Sequence, residues 1–373
     1  MNTRLARIID RVQPQDFRGP AHDEKVTARL GLWLGVAFLL CFVTGLLSHL
    51  VQKPPAWFVW PAAPVNLYRI TQGLHVLSGI AAIPLLLAKL WSVYPKLFAR
   101  PLVRSLPHAI ERLSILVLSG AAFFELATGL FNVAQNYLWG FYFPAAHYAV
   151  AWVATGSILV HVAVKLPVIR RGLTRLTAPE PNEHGMSRRA FLRTTYLTAG
   201  VAVVATAGAT VPLLKNISPL SWRSTGPQGL PVNRTAGAAR VRDAALDPAW
   251  RLRIGNTTLT LAELEALPQR TAELPIACVE GWSQNATWTG VPVADLLRLV
   301  GADPHSPVRV TSLERRGAYR TSILPATHTD GTLLALRLGG ERLDLDHGFP
   351  CRIIAPSRPG VLQTKWVHRL EVL

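Results

Sequence analysis

SRRAFLRTTYLTAGVAVVATAGATVPLL, residues 187–214, divides this chain in two. Paired arginines, then Phe-Leu, then an unbroken apolar run form the pattern of a twin-arginine export address, which ordinarily opens a chain. Here it lies near the middle of 373 residues. The apolar part, 194–214, is long enough to cross roughly 30 Å of hydrocarbon at about 1.5 Å rise per residue. Such an address serves cargo that folds before export. The stretch therefore predicts that the chain before it ends in the cytoplasm and that the chain after it folds there and leaves.

The totals agree with a membrane chain. Half of the residues are apolar and only 16% are charged, too apolar a balance for an ordinary soluble protein. The net charge of +17 would suggest nucleic acid on a soluble chain, but the basic residues cluster beside apolar runs, as they do in cytoplasmic loops. No nucleic-acid partner is expected. Cys41, Cys278 and Cys351 do not make a disulfide framework. The first 28 residues are polar and basic, so no removable N-terminal signal peptide is expected.

Four further spans precede the arginines, at about 28–51, 68–93, 110–134 and 145–169. Each is apolar nearly all round, whereas a helix of a soluble bundle keeps a polar face. Arg4, Arg7, Arg11, Arg18, Lys25 and Arg29 precede the first span; Lys96, Arg100, Arg104 and Arg112 lie between the second and third; Lys165, Arg170, Arg171 and Arg175 follow the fourth. The loops QKPPAWFVWPAAPVNL (52–67) and QNYLWGFYFPAA (135–146) are nearly uncharged and aromatic. By the positive-inside rule the N-terminus is cytoplasmic, and the fifth span carries the chain out of the cell membrane again. The expected division is a cytoplasmic arm 1–27, a four-span domain 28–170, a linker with the arginine motif 171–193, a fifth helix 194–214, and an extracytoplasmic domain 215–373. Short β-branched runs such as SPVRVTSL and CRIIAP, and a short helix at ADLLRLVG (294–301), predict a mainly β domain there.

Histidines carry the chemistry of the spans. His75 lies in the outer half of span two; His147 opens span four and His161 lies deeper in it. Fourteen residues return a helix to within roughly 40° of the same face, about 21 Å along the axis. Two imidazoles so placed suit the axial ligation of two stacked haems. His49 ends span one and is the fourth candidate. With FVTG (42–45) in span one and LATG (126–129) in span three, the layout resembles the membrane cytochrome b subunits of bacterial hydrogenases and formate dehydrogenases. The resemblance implies one or two b-type haems and a quinone partner. Where that family often has His-Trp early in span one, this chain has Leu32-Trp33. Either His22 or His49 takes over, or the inner haem is missing. Glu125 is a further ionisable group in the spans, suited to proton movement or to pairing inside the bundle.

The exported half holds IACVEGWSQNATWTGVPVADLL, residues 276–297. On chemistry alone Cys278 suits a buried structural thiol, a redox thiol or a soft metal ligand. CVEGW, then W-x-G-V-P-x-x-x-L-L, then HGFPCRIIAP (347–356), then TKWVHRLEV (364–372), resembles the sulfite-oxidase-fold molybdopterin domains, and within them the catalytic subunit of the periplasmic methionine-sulfoxide reductase system. The resemblance covers about 228–373. It implies that Cys278 is the thiolate on molybdenum, and that Asn233, Thr311, His347, Arg352 and Lys365 hold the pterin cofactor. His347 stands where the family often has Asn. A cationic pair such as Arg352 and Lys365 makes physical sense beside a phosphate. Trp282 and Trp288 are expected near the pocket or in the core.

The fold class expected is thus a multi-domain membrane protein: a four-helix transmembrane haem bundle, a fifth transmembrane helix, and an α+β, mainly-β sulfite-oxidase-type molybdopterin domain. The function expected is a molybdenum oxidoreductase that exchanges electrons with the quinone pool through haem b and reduces an S-oxide or N-oxide. Val-Glu-Gly-Trp-Ser after Cys278 lacks the arginines that bind a small oxyanion in sulfite oxidases, unless Arg251, Arg315 or Arg316 supplies one. Sulfite oxidation with electrons running inward is the enzymatic alternative, and a non-catalytic electron-transfer or sensing protein is the alternative of another class. Retention of Cys278 and the basic residues speaks against the last. The bilayer and, during export, the twin-arginine translocase are the remaining partners. ATAGAT (205–210) has spacings that a signal peptidase accepts. The span is nevertheless expected to stay as an anchor, since cleavage would part the exported domain from its electron partner.

Overall fold

The computed structural model describes residues 19–97, 99, 101, 104–174, 186–221 and 226–373. Arg4, Arg7, Arg11, Arg18, Arg100, Arg175 and the linker at 175–185, used above for orientation, lie outside the described residues. Among the described residues, five helices are long and apolar enough to cross a membrane. They are α1 (Glu24–Gln52), α2 (Leu67–Leu97), α3 (Leu106–Val133), α4 (Phe143–Gly172) and α5 (Arg188–Thr206).

The fifth helix is shifted from its expected bounds of 194–214. Its first turn contains Arg188 and Arg189, and the α-helix ends at Thr206, passing into 3-10 turns at Ala207–Ala209 and Pro212–Ile217. Close packing and proline explain the early end. A Cβ on Gly208 would lie 2.8 Å from the Lys215 backbone, and Pro212 has no N–H to continue the ladder.

The chain forms two compact units. The first is residues 1–45 with 74–206; the second is 46–73 with 207–373. In the first unit α1 and α4 approach closely: a Cβ on Gly172 would stand 2.6 Å from Ala28 Cβ, and Arg29 Nη1 donates to Gly172 O at 3.0 Å. Lys89 Nζ donates to Thr27 O at 2.7 Å, Lys165 pairs with Glu111, and Val26, Leu30, Leu85, Leu192 and Ala199 form an apolar cluster. Pro84 and Pro95 sit inside α2. Neighbouring helices and side chains re-satisfy freed carbonyls in a membrane bundle, so such prolines are tolerated.

The second unit is built on two five-stranded sheets. One orders β1 (Leu252–Ile254), β2 (Thr257–Leu259), β5 (Val308–Ser312), β6 (Thr321–Leu324) and β10 (Val367–Val372) as β2-β1-β10-β5-β6, with β1 parallel to β10 and the other pairs antiparallel. The other orders β3 (Arg270–Ala277), β4 (Ser283–Pro292), β7 (Leu333–Leu338) and β8 (Glu341–Arg342) in sequence, and β9 (Arg352–Ile354) also pairs with β7. The inward faces form the core: Leu252, Ile254, Val308, Val310, Leu334, Leu336, Ile353 and Leu370 share one buried cluster. The short helices are α6 (Ala236–Ala239), α7 (Arg242–Leu246), α8 (Leu261–Ala266) and α9 (Val293–Leu299). The first turn of α8 is fixed by a reciprocal cap: Thr260 Oγ1 accepts from Glu263 N and Glu263 Oε2 accepts from Thr260 N. The expected strands at SPVRVTSL and CRIIAP and the helix at ADLLRLVG are β5, β9 and α9.

Candidate active site

Strands β3 and β4 run antiparallel from Arg270↔Gly290 to Ala277↔Ser283, and the tight connection between them carries Cys278. Cys278 N donates to Trp282 O at 2.8 Å, and Gly281 N donates to Cys278 O at 3.0 Å with Gly281 in the left-handed region (φ 94°). The sequence CVEGW closes this loop because glycine takes the positive φ at no steric cost. Cys278 is 2% exposed. It accepts from Asn233 Nδ2 at 2.8 Å and from Glu280 N at 3.4 Å. Asn233 is aimed in turn by Trp282, whose Nε1 donates to Asn233 Oδ1 at 3.0 Å. A sulfur that accepts two N–H donors is fixed in position, as a soft-metal ligand must be.

The basic residues converge on the next stretch of chain. Lys365 Nζ donates to Arg234 O at 2.7 Å and to Asp346 O at 2.8 Å, so the Asn233-Arg234 segment touches both the sulfur and the lysine. Arg352 donates through Nη1 to His347 O at 3.0 Å and through Nη2 to Gln363 O at 3.2 Å, and lies over the Trp288 ring at 5.2 Å. Its Nε is buried without a partner among the described residues. Gly348, at φ 111°, lets the two basic segments close up, since a Cβ there would stand 3.1 Å from the Cβ atoms of both Arg352 and Lys365. Burial holds the Arg352 guanidinium down to about 9, and burial together with the Arg352 charge holds the Lys365 amine down to about 7.

His347 is buried, and burial pushes its pKa down to about 4, so the ring is neutral at pH 7. Its Nε2 lies 2.6 Å from Pro227 O, a carbonyl that only accepts, which places the proton on Nε2. Thr311 is buried in β5, opposite Thr321 and Arg369. Its neighbour Ser312 donates Oγ–H to Lys365 O at 2.8 Å. All six residues that the motifs single out thus belong to this unit. Trp288 is fully buried in the core, with Nε1 donating to Leu274 O, while Trp282 serves the sulfur through Asn233.

In the first unit His75 and His147 come together, with ring centres 6.3 Å apart and planes at 70°. Their Nδ1 atoms are held alike. His75 Nδ1 lies 2.9 Å from Cys41 O and 3.3 Å from Thr44 Oγ1; His147 Nδ1 lies 3.1 Å from Thr128 Oγ1. Each threonine precedes a glycine that faces the same ring: a Cβ on Gly45 would be 3.0 Å from His75 Cε1, and one on Gly129 would be 3.8 Å from His147 Cε1. FVTG and LATG are therefore two copies of one device, each serving the helix that follows. His147 Nε2 meets Glu125 Oε2 at 3.1 Å. Fourteen residues along α4, the charged neighbours of His161 are Lys89, Lys165 and Glu111, none of them an imidazole. His22 Nδ1 lies 3.3 Å from Ser92 O, and its ring packs on Trp91. His49 belongs to the unit of 46–73 and 207–373, with Lys53 as its charged neighbour.

The match to known proteins now has a place. Residues 238–373 fit the family model described as the oxidoreductase molybdopterin binding domain. Residues 238–373 are thus similar to molybdopterin-binding oxidoreductase domains. Over 165 residues the chain is 34% identical to the putative protein-methionine-sulfoxide reductase subunit YedZ1 of Azospira oryzae, covering 42% of this chain and 61% of that one. It is 32% identical to the protein-methionine-sulfoxide reductase catalytic subunit MsrP of Gluconobacter oxydans over 26% of this chain and 36% of the relative. To the sulfite oxidase of Arabidopsis thaliana it is 33% identical, over 24% and 27%. The chain thus spans less than two thirds of the length of each of these relatives.

The residues of the domain fit the cofactor that the matched model implies. The sulfur of Cys278 is held by donors, and the buried Arg352 and half-buried Lys365 meet only neutral carbonyls in their hydrogen bonds. Arg352 is buried with its Nε unpartnered among the described residues, and a phosphate would give such a guanidinium a charge-assisted acceptor.

The motif reading missed several polar residues of this unit. Gln72 Nε2 donates to Val279 O at 2.9 Å, beside Cys278. Arg358 is buried, with Nε and Nη1 unpartnered among the described residues. An amide inside an apolar span and an arginine after an apolar strand were the available signals.

Proposed function

We propose that this chain is a membrane-bound molybdenum oxidoreductase joined to its own haem cytochrome. Electrons pass between the quinone pool, haem b and an extracytoplasmic molybdopterin centre, and the substrate is an S-oxide or N-oxide. The observation that carries this reading is the Cys278 sulfur, held by Asn233 and Glu280 N in the same unit as Arg352 and Lys365, whose hydrogen bonds go to carbonyls. When bound, the molybdenum cofactor supplies the oxygen-atom transfer and the change of oxidation state. Cys278 binds the metal, Asn233 and Trp282 fix the sulfur, Arg352 and Lys365 hold the phosphate, and His347 and Thr311 contact the pterin. Cofactor insertion precedes export, which explains an export address directly before the domain. The N-terminus is cytoplasmic, the C-terminal domain lies outside the membrane, and the fifth helix stays attached.

His75 and His147 take one haem between them. Their ring centres stand 6.3 Å apart, and imidazole is a ligand type suited to haem iron. Iron would take the Nε2 that now meets Glu125. His49 and His161 are the remaining candidates for a second haem.

The names of two relatives favour sulfoxide reduction, and that of the Arabidopsis relative favours sulfite oxidation. The assay that decides is turnover of the purified full chain with methionine sulfoxide and a reduced viologen, against sulfite and an oxidised dye, alongside metal and haem analysis. Sulfoxide turnover with bound molybdenum and b-type bands is expected. Turnover of sulfite alone reverses the direction, and absence of molybdenum removes the reading.

A further inference from the structure

The segment 46–73 belongs to the same compact unit as the molybdopterin domain and contacts it at several points. Trp60 Nε1 donates to Ser357 O at 2.7 Å, Ser357 N donates to Val65 O at 2.9 Å, Tyr319 Oη donates to Gln52 Oε1 at 2.8 Å, and Arg69 Nη1 donates to Asn285 Oδ1 at 2.7 Å. Val51, Tyr68, Ala277 and Leu362 share one apolar cluster. These contacts gather around one place. Ala277 precedes Cys278 and forms a parallel bridge with Pro359. A Cβ on Gly360 would lie 3.8 Å from Cys278 Cα.

Gln72 reaches this place from a helix. It is 6% exposed, and its Nε2 donates to Val279 O at 2.9 Å. A buried amide within an apolar helix is costly unless bonded, so its presence asks for a role. Tyr68, Gln72 and His75 follow one another at spacings of four and three, along one face of α2. The bonded route from the Cys278 sulfur thus runs through the chain to the Val279 carbonyl, crosses a single hydrogen bond, and enters α2 one turn before His75.

We propose that Gln72 is the electron-transfer contact of this protein. The inference rests on the haem at His75 and the molybdenum at Cys278 proposed above. One electron crosses at a time: ferrous haem becomes ferric, and the centre at Cys278 falls by one oxidation state. Membrane quinol restores the ferrous haem, and no bond is made or broken at Gln72. Gln72 is a positioning residue, since it touches neither reacting centre.

The test uses the full chain with the haem reduced beforehand, mixed rapidly with methionine sulfoxide while haem oxidation is followed optically. Gln72→Met keeps length and loses the donor; Gln72→Glu is a second variant whose carboxylate does not donate. Either variant is expected to slow haem oxidation by about tenfold or more. Turnover driven directly by reduced viologen, the haem spectrum, the haem midpoint potential and the molybdenum content stay at wild-type values. Haem oxidation at the wild-type rate in a loaded variant overturns the proposal. So does a parallel loss of viologen-driven turnover, which would make Gln72 a prop for the Cys278 loop. A wild-type protein without b-type bands instead overturns the haem reading, and the inference with it.

Discussion

Thr44 and Thr128 stand in equivalent positions: each lies within 3.3 Å of the Nδ1 of a histidine on the following helix, and each precedes a glycine that faces the same ring. A group held at Nδ1 leaves Nε2 as the ligating atom and fixes the ring plane. Replacing either threonine by valine keeps the shape and removes the hydroxyl. Thr128→Val is expected to weaken haem retention by about 10–100-fold, as the loss of outer partners of a ligating histidine does. Thr44→Val is expected to have a smaller effect, because Cys41 O also meets His75 Nδ1 at 2.9 Å. Haem content per chain, measured by pyridine haemochrome, checks the order. Equal retention in both variants and wild type would remove the device.

Lys365 gives the empty site a pH dependence. Burial first, then the Arg352 charge, lowers the amine from its ordinary 10.5 to about 7. Between about pH 7 and 10.5 the folded empty domain therefore binds fewer protons than the unfolded chain, and its stability rises with pH across that window. A phosphate reverses the preference, because it favours the charged amine. Cofactor affinity is then expected to fall as pH rises above about 7, by up to about tenfold per unit for one linked proton. Melting of the cofactor-free protein at several pH values, against Lys365→Met, checks the first sign. A melting temperature of wild type that does not rise with pH relative to the variant would contradict it.

Much of this was legible in the sequence, for a local reason. Five apolar runs, the paired arginines and CVEGW each depend on residues close in the chain, and helices, turn and family match follow from them. The pairing of His75 with His147 was not legible. Spacing within α4 drew attention to His147 and His161, because helical periodicity reports on one helix and says nothing of its neighbours. The grouping of 46–73 with the molybdopterin domain was hidden for the same reason. Trp60, Gln72, Ser357 and Val279 are bound by hydrogen bonds across more than 200 positions, and no local pattern encodes them.

Gly290 is expected to tolerate no side chain. It lies in β4 at the register shift against β7, where a Cβ would sit 2.1 Å from Leu334 O and 2.6 Å from Ala335 Cα. Both obstacles are backbone, so the strands must part. Gly290→Ala is expected to destabilise the domain by about 1–3 kcal/mol, the range for overpacking a dense core. Trp288, two residues before it and fully buried beneath Arg352, would shift as well. Thermal unfolding of the variant checks this; an unchanged midpoint would mean that the sheet yields at no cost.

Arg188 lies in the first turn of α5 and pairs with Asp23 at 2.8 Å. Two roles are open to such an arginine, and one substitution separates them. If the pair of arginines only anchors the helix, lysines at 188 and 189 keep the positive charge and the partner at Asp23, and the C-terminal domain reaches the outer face as before. If the pair is an export address, recognition needs the guanidinium groups, because arginine and lysine are not interchangeable where planar donors are read. Arg188→Lys with Arg189→Lys is therefore expected to leave the molybdopterin domain on the cytoplasmic side, folded and with its cofactor. Protease added to intact spheroplasts should degrade the wild-type domain and spare that of the double variant, while inverted vesicles show the reverse. Equal digestion of both proteins in spheroplasts would assign the arginines to anchoring alone.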